Sequence, residues 1–304
     1  MGERLKDMET LKYCSTVAFS YWRRLFMGLC LLLVWQHAVA QLDSNAENAL
    51  VFSQTEQLFK KGNFSHFEID PLGNVLLLGS GRQIIKYTPK GDSIGRYDNV
   101  RSYGEVTDLD VTNPLKIAVF YKDFAKIVAL DRYLSPVNNI DLGKAGIWEA
   151  SSVATSYDNQ YWVFDKQEAK IKKISGTAVV GFASNDLRQV FDRDVNLVKL
   201  LDSDGLLYGY DPALGWYIFD YYGALKQKVE LQNLVDVHVT GGVLTGRKGE
   251  LLCLVSTKNL LTQPIWIHLP QNNKEVKQTY FDPASRRLWV LLQSGIFYYD
   301  IQTK

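Results

Sequence analysis

The feature that most limits what this chain can fold into is a pattern of short apolar segments and turns that recurs six times. Each unit has a short strand, a turn rich in Asp, Asn or Gly, a second apolar strand, a short gap and a third strand. The turns with their second strands are DPLGNVLLLG (70–79), DVTNPLKIAVF (110–120), SYDNQYWVF (156–164), DSDGLLYGY (202–210), GRKGELLCLV (246–255) and DPASRRLWVLL (282–292). Short strands joined by such turns are typical of antiparallel hairpins, so the chain is predicted to be all-β.

The units recur at a nearly constant spacing. Their second strands begin at Val75, Ile117, Tyr161, Leu206, Leu251 and Leu288, which gives about 44 residues to a unit and a shorter last interval. The third strands are QIIKYTP (83–89), KIVALDR (126–132), KIKKIS (170–175), GWYIFDYYG (215–223), PIWIHLP (264–270) and GIFYYDI (295–301). Several units add a fourth segment, and four short strands in this length predict one blade of a β-propeller. Six blades fill 41–304, although the short last interval leaves seven open.

The end of the repeat predicts how the ring closes. The sixth unit stops at Lys304, directly after its third strand, so its fourth strand is missing from that part of the sequence. An apolar segment near the other end, ALVFSQTEQLF (49–59), is predicted to supply it. The tryptophans of the strand repeats are predicted to fill the gaps between blades; they are Trp162, Trp216, Trp266 and Trp289.

The first unit carries a family resemblance. The stretch HFEIDPLGNVLLLGSGRQIIKYTPKGDSIGRY (66–97) resembles a blade of NHL-type six-bladed β-propellers. An inner strand, an Asp, a Gly-Asn turn, a second strand, a gap and a third strand recur there in the same order. The likeness covers all six units loosely. It implies the fold and no particular activity, because propellers support many functions.

The first forty residues form a separate segment. Residues 1–24 are polar and include five basic side chains, and an uncharged apolar run follows from Leu25 to Trp35. Ala38-Val39-Ala40 then gives the small-x-small pattern of a signal peptidase site. The run is too short to span a bilayer, so residues 1–40 are predicted to be a signal peptide and residues 41–304 a single propeller domain. We therefore expect a periplasmic or extracellular protein.

The charge balance excludes one class of partner. Lys and Arg total 34 and Asp and Glu total 33, so no basic field favours nucleic acid. Cys253 is the one cysteine after residue 40; it lies in an apolar strand pattern and is predicted to be a buried, unreactive thiol.

A metal site at the channel is the enzymatic alternative. First strands line the axis of a propeller, and they carry His66 with Glu68 in one blade and Asp236 with His238 in another. The architecture is similar to that of six-bladed lactonases, which hold one divalent cation with an acid, an Asn and an Asp. That resemblance implies roles for Glu68, Asn196 and Asp236, with calcium or zinc as the ion. No nucleophile motif is present, so no catalytic residue is assigned and no cofactor is expected in the favoured interpretation.

Exposed aromatic side chains suggest a binding role instead. Tyr103, Trp148, Tyr221 and Tyr222 lie in or next to predicted turns, and tyrosine and tryptophan are enriched at interface hot spots. The long segment STKNLLTQP (256–264) adds Leu260 and Leu261. We therefore expect an exported protein-binding or scaffolding subunit of the bacterial cell envelope, associated with the outer membrane through its partner. A metal-dependent hydrolase or lactonase is the alternative.

Overall fold

The structure, a computed structural model, describes residues 50–52, 56–79, 83–98, 103–258, 263–270 and 275–303. The chain divides into two compact units, residues 1–51 with 303–304 and residues 52–302. The predicted signal peptide and the Leu260–Leu261 pair lie outside the described residues. None of the described helices is both long and apolar enough to cross a membrane.

Strands dominate the second unit. Two strands precede the repeats: β1 (Leu50–Phe52), whose first two residues belong to the first unit, and β2 (Gln57–Lys61). Blade 1 contains β3 (Phe64–Ile69), β4 (Val75–Gly79), β5 (Ile84–Tyr87) and β6 (Ser93–Tyr97). Blade 2 contains β7 (Asp108–Asp110), β8 (Lys116–Tyr121), β9 (Lys126–Asp131) and β10 (Pro136–Asp141). Blade 3 contains β11 (Ala150–Thr155), β12 (Tyr161–Asp165), β13 (Lys170–Ile174) and β14 (Val180–Ala183).

The remaining blades follow the same order. Blade 4 contains β15 (Lys199–Ser203), β16 (Leu206–Asp211), β17 (Gly215–Phe219) and β18 (Leu225–Val229). Blade 5 contains β19 (Val235–Thr240), β20 (Val243–Lys248), β21 (Leu251–Ser256) and β22 (Ile265–His268), and blade 6 contains β23 (Val276–Asp282), β24 (Arg287–Leu292) and β25 (Gly295–Thr303). Between strands lie a short α-helix (Leu187–Phe191) and two 3-10 turns (Lys122–Phe124 and Leu142–Ala145). The six antiparallel blades form a β-propeller, as predicted.

The N-terminal strand completes blade 6. β2 pairs antiparallel with β25, with Gln57 opposite Tyr298 and Lys61 opposite Gly295. The hydroxyl of Tyr299 also donates a hydrogen bond to Glu56 at 2.8 Å. The predicted closure is confirmed: β2 overlaps the end of the 49–59 segment and continues two residues beyond it.

The structure of blade 5 differs from the predicted repeat in one detail. The strand that starts at Leu251 was predicted to be the second of its blade, but it is the third, because β20 precedes it. Gly241 and Gly242, both with positive φ, form the tight turn before β20, and this turn lacks the Asp or Asn that marks the other units. Trp266 consequently lies on the outer strand β22 and is 41% exposed. Its predicted place between blades is wrong, whereas Trp162, Trp216 and Trp289 are buried as predicted.

Apolar side chains fill the spaces between neighbouring blades. Tyr97, Leu109 and Val119 belong to one cluster that joins blades 1 and 2, and corresponding clusters join blades 2 and 3, 3 and 4, 4 and 5, and 6 and 1. Burial of these faces supplies the main driving force for the fold.

Polar contacts also cross every junction between blades. They are Lys86 Nζ to the Pro114 carbonyl (3.5 Å), the Thr155 amide to Asp110, the Trp162 indole to Asp202 (2.9 Å), the Leu234 amide to the Tyr210 hydroxyl (2.7 Å), the Thr279 amide to Asp236 (3.0 Å) and the Phe67 amide to Gln278 (2.9 Å). Their acceptors are mostly buried, where an unpaired polar group is costly, so these contacts fix the angle between neighbouring blades.

The innermost strands define two faces of the ring. β3, β7, β11, β15, β19 and β23 are the first strands of their blades, and contacts join them in order around the axis from β7 through β23 to β3. Because every blade is an up-and-down antiparallel sheet, these strands all run the same way. We call the face where they begin the start face and the face where they finish the end face.

Candidate functional site

Two cavities enter the channel from opposite faces and meet at one charged layer. The start-face cavity has a volume of about 380 Å³ and the end-face cavity about 250 Å³. Glu68, Lys199 and His238 line both cavities. These three side chains come from blades 1, 4 and 5, so the layer spans the channel.

The layer is built around two carboxylates. Lys199 Nζ lies 2.7 Å from Asp108 Oδ1 and 3.9 Å from Glu68 Oε1. His66 Nε2 is 3.0 Å from the same Glu68 oxygen, and His238 Nδ1 is 3.9 Å from Glu68 Oε2. Residues from four different blades thus meet around one glutamate.

Burial and neighbouring charges determine the protonation of this layer. Burial by itself raises the pKa of Glu68, but the attraction of His238 and Lys199 and the hydrogen bond from His66 outweigh it and lower that pKa to about 2. Burial likewise opposes the charged form of Lys199, but Asp108 and Glu68 raise its pKa above the ordinary value. Burial lowers the pKa of His238, so at neutral pH this imidazole is uncharged beside an ionised glutamate and an ammonium group.

The structure brings together some of the residues that were predicted to ligate a metal ion. One ligand atom each from His66, Glu68 and Asp108 all lie within 4.8 Å of one another, and His238 lies beside Glu68. Asp236 is not part of this group. Its Oδ2 accepts hydrogen bonds from Arg247 Nε at 2.6 Å and from Thr279.

Asn196 and the aspartates before it, Asp192 and Asp194, lie outside this layer. Asn196 is exposed in the loop before β15, and its backbone amide donates to Asp211 Oδ2 at 2.7 Å. Asp192 ends the short α-helix with a left-handed backbone conformation. Among the described residues, no group of three metal-ligating side chains includes either of them.

Lys199 is the channel residue that sequence reasoning missed. It begins the short strand KLLDS, and a lysine at such a position is ordinarily a solvated strand end. Asp108 likewise begins a first strand, β7, and no sequence motif distinguishes it. The signal for Lys199 was its place on a first strand, since these strands line the axis in every blade.

A second constellation lies on the end face, at blades 3 and 4. The rings of Tyr157 and Tyr221 stack with centroids 4.9 Å apart. Asp202 accepts hydrogen bonds from the Tyr221 hydroxyl at 2.5 Å and from the Trp162 indole at 2.9 Å. Lys173 Nζ lies 4.7 Å from the centre of the Trp162 ring. The cluster is therefore held rigidly while its outer surface stays open.

Four apolar side chains form a row along this face. They stand at the turns of blades 1 to 4 and are largely exposed: Leu72 (64%), Leu115 (63%), Tyr157 (71%) and Tyr222 (88%). We call these four residues the end-face row. Singly exposed apolar residues are normal, but exposed apolar side chains in the turns of four consecutive blades on one face make that face a candidate interaction surface.

Contacts between blades hold the turns of the end-face row. Lys86 pairs with Asp70 at 3.0 Å beneath the Leu72 turn and reaches the Pro114 carbonyl beside Leu115. Lys116 donates to the Asn159 carbonyl at 2.8 Å, which joins the turns of blades 2 and 3. The Tyr157–Tyr221 stack joins blades 3 and 4. The row therefore sits on a preorganised frame.

The predicted aromatic residues do not share one surface. Tyr221 and Tyr222 lie on the end face. Trp148 and Tyr103 lie in loops on the start face, where Trp148 is exposed and Tyr103 packs on Tyr121 with ring centres 5.3 Å apart. Leu72 and Leu115 were not singled out from the sequence, because a leucine in a turn has no pattern of its own.

Comparison with known proteins supports the fold. No protein-family model matches the chain, and no curated protein sequence matches it. Among solved structures it is similar to a streptogramin B lyase, with a TM-score of 0.54 and 14% identity over 78% of each chain. It is also similar to the WD40 domain of Pan2 from Neurospora crassa, with a TM-score of 0.56 and 9% identity over 78% of this chain and 88% of that one. A catalytically inactive virginiamycin B lyase from Staphylococcus aureus with quinupristin gives 0.53 and 13% over 84% and 90%. At these sequence identities the similarity shows a propeller fold and no particular function, because propellers support many functions.

Proposed function

We propose that this chain is a protein-binding propeller that docks a partner protein on its end face. The observation that carries the proposal is the end-face row, with one exposed apolar side chain at the turn of each of four consecutive blades. Exposed apolar patches on soluble domains mark interaction surfaces, and rigid tyrosines lose little entropy when they are covered.

The chemistry of the row defines the partner surface. All four side chains are uncharged, and the lysines of the adjoining turns are already engaged, Lys116 with Asn159 and Lys173 with Asp158. A complementary surface is therefore apolar and aromatic rather than strongly charged. Preorganised turns favour such docking, because little further ordering is needed.

Site-specific crosslinking in the native host tests this proposal. A photoreactive residue replaces Tyr222 or Leu115, and Phe124, an exposed aromatic on the start face, serves as the matched control position. We expect one crosslinked protein common to positions 115 and 222 and absent at 124, and Leu115→Ser should weaken the crosslink from position 222. Equal crosslinking at 124, or none from 115 and 222, would contradict the proposal.

The proposal includes export to the bacterial cell envelope, in the periplasm or outside the cell. The apolar run from Leu25 to Trp35 and the Ala38-Val39-Ala40 site support it, as does the resemblance of the repeats to NHL-type blades. Attachment to the outer membrane would then pass through the partner. N-terminal sequencing of the protein from fractionated cells should begin at Gln41, and a cytoplasmic protein that retains the apolar run would argue against export.

A metal-dependent hydrolase or lactonase is the second candidate. The close grouping of His66, Glu68 and Asp108 favours it, because imidazole and carboxylate are common ligands of zinc, and calcium takes carboxylate oxygens. Elemental analysis of the purified protein tests it directly. Stoichiometric zinc or calcium would favour this candidate, and its absence from protein purified without chelators would leave the protein-binding role.

A further inference from the structure

We propose that Lys199 takes the place of a metal ion in the channel. Its ammonium group supplies the positive charge for His66, Glu68 and Asp108, keeps divalent cations out of the wild-type site, and leaves a metal site behind when it is removed. The inference concerns the channel and is independent of the end-face row.

The geometry places the ammonium group within the ligand set. The three candidate ligand atoms lie within 4.8 Å of one another, a spread that one divalent ion can bridge. Lys199 Nζ is 2.7 Å from the Asp108 oxygen and 3.9 Å from Glu68 Oε1. The same Glu68 oxygen is 3.0 Å from His66 Nε2. A cation bound by all three residues would have to share this space with Nζ.

The Lys199 side chain crosses the channel, and this explains why its ammonium group remains beside Asp108 and Glu68. Lys199 belongs to β15 of blade 4, whereas its partners belong to β3 of blade 1 and β7 of blade 2. Both the lysine and the glutamate are largely buried, so neither charge can turn into solvent without breaking the pair. A buried ion left without its partner is strongly unfavourable.

Electrostatic repulsion prevents the Lys199 ammonium group and a divalent metal ion from occupying this site together. A divalent ion held by these carboxylates would lie a few ångströms from a fixed ammonium group in a poorly screened interior, where like charges repel strongly. The zinc coordination of three protein ligands and one open position is satisfied only if the lysine leaves. With Lys199 present, the residues of the channel do not fit a divalent ion.

The test compares metal binding by the untagged full-length protein and its Lys199 variants. Zinc and manganese are titrated by calorimetry into the wild type, Lys199→Met and Lys199→Arg. We expect no saturable binding to the wild type or to Lys199→Arg, and about one equivalent of zinc for Lys199→Met. Adding His66→Ala to Lys199→Met should lower the affinity by at least about tenfold, because one ligand is lost.

Thermal unfolding covers the case in which Lys199→Met folds poorly. Zinc should raise the Tm of Lys199→Met, or restore its refolding, and should do neither for the His66→Ala/Lys199→Met double variant. One equivalent of zinc on the wild type, lost on His66→Ala, would overturn the inference and favour the metal-dependent enzyme. Failure of folded Lys199→Met to bind zinc would also overturn it.

Discussion

At the scale of single residues, Glu68 shows how a propeller channel can hold a buried charge. His66 and Lys199, a lysine from the opposite side of the ring, approach its Oε1, and His238 approaches its Oε2. His238 remains uncharged because burial lowers its pKa. At neutral pH the imidazole is therefore a polar neighbour of Glu68, and it attracts the carboxylate as a counter-ion only when it is protonated at lower pH.

The low pKa of Glu68 predicts a loss of stability in acid. The pKa falls from 4.5 to about 2 on folding, so its contribution is fully present above pH 4.5 and disappears as the pH falls towards 2. The shift corresponds to about 3 kcal/mol. Urea unfolding at a series of pH values from about 5 to 3 should show a shallower decline of the free energy of unfolding for Glu68→Gln than for the wild type. Parallel declines would contradict the assignment.

Gln278 is predicted to stabilise the fold by a free energy comparable to that of Glu68. Its buried amide accepts from the Phe67 backbone amide and donates to the Phe67 carbonyl, both at 2.9 Å. Gln278→Leu leaves both backbone groups unpaired at the junction of blades 6 and 1, which should cost about 2–4 kcal/mol in unfolding free energy. Gln189→Leu, at an exposed position of the short helix, should change it by less than about 0.5 kcal/mol. Similar effects for both variants would show that the Gln278 bonds contribute little.

For single residues, the sequence predicted the strand on which a side chain lies better than it predicted the side chain's partner. It placed Glu68, His66 and His238 on channel strands from the order of strands in the repeat. It did not reveal that Lys199 reaches Asp108 or that Asp236 is held by Arg247. Those pairs depend on which blades stand opposite each other, and that geometry appears only after the ring has closed.

At the scale of elements, turn chemistry determines which strands can be recognised. In blade 1 the Asp70 carboxylate accepts from the backbone amides of Leu72 and Asn74, and this local bond is what makes the Asp-rich turns visible in the sequence. Blade 5 makes the same turn with Gly241 and Gly242 instead. The conspicuous turn at Gly249 then lies between the second and third strands, which explains the shifted prediction for this blade.

Gly295 is predicted to be required where β2 joins β25. Its φ is +154°, and a β-carbon there would lie 2.3 Å from the Lys60 carbonyl oxygen. Gly295→Ala must push the two strands apart and should cost roughly 2–4 kcal/mol of unfolding free energy. Gly91→Ala is the matched control, because Gly91 also has a positive φ but meets nothing within 4 Å; it should cost about 1–2 kcal/mol. Equal losses in urea unfolding would show that strain, and not the β2 contact, limits Gly295.

At the scale of the whole molecule, ring closure makes the N-terminal strand indispensable. A propeller has no free sheet faces once each blade packs on two neighbours, but the last blade is complete only when β2 covers β25. The repeat arithmetic could predict this closure because a strand was missing at one end and a spare apolar segment was present at the other. The precise register could not be predicted, since the bulge between Leu58 and Lys60 has no distinctive sequence signal.

Removal of β2 should therefore destabilise the entire ring rather than one blade. A chain that begins at Gly62 leaves the backbone groups of β25 unpaired and the blade 6 edge open, a condition that promotes aggregation. A chain that begins at Gln41 should unfold in one cooperative transition, whereas the shorter chain should lose that transition or oligomerise. A synthetic peptide of residues 49–61 added in excess should restore monomeric, cooperative unfolding, and a peptide of the same composition in scrambled order should not. Full stability of the shorter chain without peptide would show that five blades and an incomplete sixth suffice, and that the closing strand serves another purpose.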